Sequence, residues 1–95
     1  MSQDKDDLHH EESQGVRAKE ILNDDTFKKA VETLKATYLE EMIKTGIAED
    51  EARKYLWMSY HTLGKVVANL EEVMTTGELA REQIKNIEKY SQGQG

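Results

Sequence analysis

No proline occurs anywhere in the 95 residues, and that single absence leaves helices free to run without a forced break. Abundant Ala, Leu, Glu, Lys and Met favour the same state. Between residues 16 and 90 the apolar positions recur at steps of three and four, the period of a helix face. Neither β-branched alternation nor an Asn-Gly hairpin signal is present, so strands are not needed anywhere. Zero cysteines exclude a disulfide framework, a thiolate zinc site and a cysteine nucleophile, and they fit a reducing, intracellular setting. No apolar run approaches the roughly 18 residues that cross a bilayer, and Met1 to Asp7 lack the apolar stretch of a secretory signal. The expectation is therefore no membrane association.

Charge divides the chain. Thirteen basic against 19 acidic residues give a net charge of -6, which argues against a surface built to neutralise phosphates. Residues 1–15 hold Asp4, Asp6, Asp7, Glu11 and Glu12 with one Lys, and only Met1 and Leu8 as apolar side chains. So little apolar surface does not offset the entropy of ordering, and the segment is expected to be a disordered acidic arm. Residues 91–95, Ser-Gln-Gly-Gln-Gly, are expected to be a disordered tail. Residues 16–90 carry 12 basic and 14 acidic groups and form the single expected helical domain.

Within that domain a short helix from Val16 to Leu22 is expected to end where Asn23 caps the next. The second helix should run to about Thr45, with Phe27, Ala30, Val31, Leu34, Tyr38, Leu39, Met42 and Ile43 as its apolar stripe. Gly46 is the expected left-handed closing residue. Glu49, Asp50 and Glu51 mark the acidic first turn of a third helix, expected to reach about Thr76. Along it Leu56, Leu63 and Leu70 repeat every seven residues, as do Ala52, Ser59, Val66 and Val73. Gly77 then closes that helix, and a last one presents Leu79, Ala80, Ile84 and Ile87 to about Tyr90. The fold class is thus all-α: an antiparallel helical hairpin with short flanking N- and C-terminal helices. A hairpin of this size has a poor ratio of core to surface, and self-association into a homo-oligomer would remedy it. The interface candidates are Tyr55, Trp57 and Tyr60, with Leu56, Leu63 and Leu70.

Constellations that carry chemistry are missing. His9-His10-Glu11-Glu12 offers metal-ligand types without fixed geometry, so no metal is expected. His61 is the one histidine of the domain. Ser59, two residues away, projects from a different side of the helix. No Gly-rich phosphate loop, nucleophile elbow or His-Glu-x-x-His zinc helix occurs, and the pairs Glu40-Glu41 and Glu71-Glu72 point apart. No enzyme activity and no cofactor are expected. Lys28, Lys29, Lys35, Arg53, Lys54 and Lys65 could line a basic strip, but Glu32, Glu40, Glu41 and Glu51 interleave with them. That mixture reads as a salt-bridged solvent face, which leaves nucleic-acid binding as a secondary alternative.

One set of landmarks extends from end to end of the domain: Arg17-Ala18-x-Glu20-Ile21-Leu22-Asn23, Phe27-x-x-Ala30, Leu34, Tyr38, Thr45, Arg53, Leu56-Trp57, Leu63, Val66, Leu70 and Thr76-Gly77-x-Leu79-Ala80. This pattern resembles a family of small helical proteins encoded by tailed bacteriophages and prophages, often beside head and DNA-packaging genes. The resemblance implies a phage origin and residence in the host cytoplasm or the virion, and it supplies no catalytic residue. Its implied roles are an oligomeric accessory of virion assembly or DNA packaging, or a host-directed inhibitor that binds a bacterial protein. The implied partners are a second copy and a phage structural, packaging or host protein. A small terminase subunit is the nearest defined role, although no helix-turn-helix is recognisable here.

Overall fold

The structure, a computed structural model, describes residues 5–93, with side-chain environments up to Ser91. It is all-helical: α1 spans Lys5–Asn23, α2 spans Asp25–Lys44 and α3 spans Asp50–Gly93. The chain divides into two compact units. One comprises the described residues up to Ile21 together with those from Leu70 onward, and the other is Leu22–Asn69. The 44-residue α3 supplies residues to both.

In the first unit α1 lies along the C-terminal part of α3. Lys5 Nζ is 3.9 Å from Glu88 Oε1, and Arg81 Nε is 3.9 Å from Glu12 Oε2. Next along, Gly15 meets Gly77, so residue numbers rise on one helix as they fall on the other and the pair is antiparallel. Leu8, Ala80 and Ile84 form a buried apolar cluster, and Leu8 is only 2% exposed. The crossing is close because both partners lack a side chain there. A Cβ on Gly77 would stand 2.6 Å from Gly15 Cα and 2.9 Å from the Glu11 carbonyl oxygen, distances no real Cβ tolerates. Small residues at a helix contact let the two backbones approach below the usual 8–10 Å interaxial range.

These contacts correct several sequence expectations. Residues 5–15 are helix rather than a disordered acidic arm, because Leu8 and Gly15 dock on α3 while Asp6 and Asp7 stay exposed and Glu11 and Glu12 are half-buried. Residues 1–4 of the expected arm lie outside the described residues. α1 accordingly covers 19 residues instead of the short helix expected from Val16. Gly77 does not end a helix. It sits buried inside α3, which continues through the expected separate last helix to Gly93 and so includes residues 91–93 of the expected tail; residues 94 and 95 lie outside the described residues. The described residues expected to form a single domain, 16–90, contribute to two compact units.

In the second unit Asp24, not Asn23, caps α2: at φ -72° and ψ 125° its carboxylate accepts a 2.8 Å hydrogen bond from the Phe27 N–H. The helix ends at Thr45, whose extended backbone and 2.6 Å bond from Oγ1 to the Met42 carbonyl terminate it. No left-handed glycine is involved, since no glycine among the described residues has positive φ. α3 begins at Asp50, where Asp50 and Glu51 occupy the first turn and carboxylates are favoured by the macrodipole.

Candidate interaction surface

Arg53 joins the two helices of the Leu22–Asn69 unit. Its Nη1 donates to Thr45 Oγ1 at 2.9 Å and to the Gly46 carbonyl at 2.7 Å, while Nη2 pairs with Asp50. Glu49 accepts from the Gly46 N–H at 3.2 Å, which closes the turn from its other side. Further along, Lys35 Nζ stands 5.9 Å from the centroid of the Tyr60 ring, within cation–π range. Contacts thus pass from Thr45 to Lys35 on α2 as they pass from Arg53 to Tyr60 on α3.

Two helices alone bury little. No residue from Leu22 to Asn69 reaches the buried class. The expected apolar stripe of α2 is divided: Phe27, Val31, Tyr38 and Met42 are half-buried, whereas Ala30, Leu34, Leu39 and Ile43 are exposed, Ile43 by 83%. Its angular width exceeds what one neighbouring helix covers. Beyond it, Ile47 in the turn is 98% exposed.

The six interface candidates do not form one cluster. Tyr55 and Leu63 line an open groove with Tyr38, Met58, Ser59, Thr62 and Val66. Trp57 lines a different groove, with Met42, Arg53, Lys54 and Met58. Successive residues advance 100° around a helix, so Tyr55 and Trp57, two apart, project about 200° from one another. Tyr55 and Trp57 are 73% and 56% exposed, while Leu56, Tyr60 and Leu63 are half-buried. Leu70 is half-buried too but belongs to the first unit. Met58, which reaches both grooves, is not among the six interface candidates. A signal existed: it follows Trp57 in a stretch poor in charge.

Ring contacts order part of this surface. The Trp57 and His61 centroids are 4.1 Å apart with planes inclined by 46°, and Tyr60 meets His61 edge-on at 5.6 Å. The Ser59 hydroxyl donates to the Tyr55 carbonyl at 2.9 Å, so it is tied back to its own helix. Of the six basic residues considered as a strip, Lys35 lies over Tyr60 and Arg53 is engaged in the turn. His9 Nδ1 is 4.0 Å from Glu12 Oε1 on α1. Among the described residues no group of three or more His, Cys, Asp or Glu is gathered to hold a metal ion, and no helix is long and apolar enough to cross a membrane. No known protein family, curated protein or solved structure matches the chain.

Proposed function

We propose that the chain is a non-enzymatic bacteriophage protein that works through protein contacts, as an oligomeric accessory of virion assembly or DNA packaging in the host cytoplasm. The observation that carries this reading is the Leu22–Asn69 unit, a pair of helices that buries no residue and leaves Leu39, Ile43, Tyr55, Trp57 and Met58 exposed. Trp57 lines one open groove with Met58 and Tyr55 another; exposed apolar side chains set side by side mark interaction surfaces, and aromatic residues supply the anchors of such surfaces. The phage assignment rests on the sequence resemblance. The Thr45–Arg53 and Lys35–Tyr60 contacts support an antiparallel hairpin as the element that presents the surface.

The test is capture from cells producing the phage that encodes the chain, with tagged wild type beside Trp57→Ala and Tyr55→Ala. Recovery of a capsid, portal or terminase component that the folded variants lose supports the assembly role. Recovery of a host enzyme or regulator in its place identifies a host-directed inhibitor and overturns that role. A low-salt gel shift addresses the nucleic-acid alternative, which fails if no retardation occurs at about 50 μM protein, near the weak end of non-specific affinity.

A further inference from the structure

We propose that two copies of the chain pair through α3, antiparallel about a two-fold axis, with the Trp57 indole of each copy seated over Gly64 of the other. The pairing rests on the protein-contact reading above and gives it a geometry. Three glycines, Gly15, Gly64 and Gly77, stand inside helices. Each costs about 1 kcal/mol relative to alanine at such a position, so each calls for a reason. Gly15 and Gly77 have one, because each is the other's contact. At Gly64 a Cβ would meet no heavy atom within 4 Å beyond its own turn of helix. Gly64 is half-buried, yet no side chain of the described residues fills the notch left by its missing Cβ.

Trp57 supplies the complement. It precedes Gly64 by seven residues, two helical turns, so knob and notch share one face of α3. More than half of the Trp57 surface is exposed. A two-fold axis midway between them, beside Tyr60 and His61, seats both indoles at once, since in an isologous pair residue i meets j and j meets i. A partner of different sequence would have to carry the same knob and notch in reverse order, whereas a second copy supplies them by symmetry.

Charge favours the same occupant. Tyr55 to Gly64 is a run of ten residues without Asp, Glu, Lys or Arg in a chain that is 34% charged. Loss of charge together with Trp, Tyr and Met is the composition of an interface centre. The Leu22–Asn69 unit holds seven basic and eight acidic residues, so each copy brings a net charge of only -1 to the contact. The rest of the chain holds six basic and 11 acidic residues, which opposes pairing through that part.

Light scattering and sedimentation of the full chain over roughly 1–100 μM test the pairing. The expected mass is twice the 10.9 kDa of one chain. Gly64→Leu fills the notch where the single chain has open space, so helicity by circular dichroism is kept while dissociation weakens the pair at least about 30-fold, as does Trp57→Ala. Because the sequence has no cysteine, His61→Cys places one thiol beside the axis and mild oxidation joins two copies, whereas Lys29→Cys on α2 does not. A monomer mass at the highest concentration overturns the pairing, while recovery of a phage partner by that monomer leaves the protein-contact reading standing. A dimer that neither Gly64→Leu nor Trp57→Ala weakens overturns this interface and keeps the oligomer. Equal crosslinking of both cysteine variants overturns the axis.

Discussion

Gly15 and Gly77 touch backbone to backbone: a Cβ on Gly15 would lie 2.7 Å from Gly77 Cα, and one on Gly77 would lie 2.6 Å from Gly15 Cα. The obstacle in each case is main chain, which cannot swing aside as a side chain would. Gly15→Ala and Gly77→Ala must therefore force α1 away from α3. Overpacking costs about 1–3 kcal/mol, and the better helix propensity of alanine returns about 1. The expected net loss is up to about 2 kcal/mol for each, measured by urea unfolding. Within one chain Gly64→Ala meets open space, so at concentrations too low for pairing it should gain up to about 1 kcal/mol. A gain at all three positions would contradict the close crossing.

Leu8 is the largest fully buried side chain among the described residues. Leu8→Ala is expected to cost about 2–5 kcal/mol. Val16 lies on the same helix but is 53% exposed, so Val16→Ala should change stability by less than about 0.5 kcal/mol. Equal, negligible effects at both positions would return residues 5–15 to the status of an unpacked arm.

Arg53 holds three acceptors from one fork, Thr45 Oγ1, the Gly46 carbonyl and Asp50. Arg53→Lys should not restore the turn, because an ammonium presents no planar fork. Both Arg53→Ala and Arg53→Lys are expected to speed amide exchange at Glu49, whose N–H donates to the Gly46 carbonyl at 3.1 Å. Unchanged exchange at Glu49 in both variants would show that the turn is held by its backbone alone.

Trp57 is the only tryptophan, and its ring lies 4.1 Å from that of His61. A ring packed on an indole sets the polarity around it, so His61→Leu should change the wavelength or intensity of Trp57 emission at neutral pH. Identical emission from wild type and His61→Leu would show that the two rings do not stay in contact in solution.

Much of the second unit is written in local signals. The Thr45 end of α2 and the Asp50–Glu51 start of α3 follow from interactions within one or two turns, which neighbouring residues specify. The cap moved by one residue because Asn23 and Asp24 are both competent and only the backbone angles choose between them. The interface candidates were legible as residues and not as an arrangement. Tyr55, Trp57 and Tyr60 look like one cluster in sequence, yet they divide between two grooves and a ring stack, because the direction of α2 decides which part of the α3 circumference is covered.

The sequence by itself determined that this chain is helical, where α2 ends and α3 begins, and that its apolar surface is wider than one helical neighbour covers. Helix formation is governed by bonds between residues i and i+4, so local composition is enough. Only the tertiary structure decided what Gly77 and the acidic N-terminal segment do. A glycine after a helical run serves equally to end a helix or to admit a second backbone. The presence of Gly15 across the contact selects the second use. Likewise Leu8 has too few apolar neighbours in sequence to order residues 5–15, and it gains them from Ala80 and Ile84, more than 70 positions along the chain.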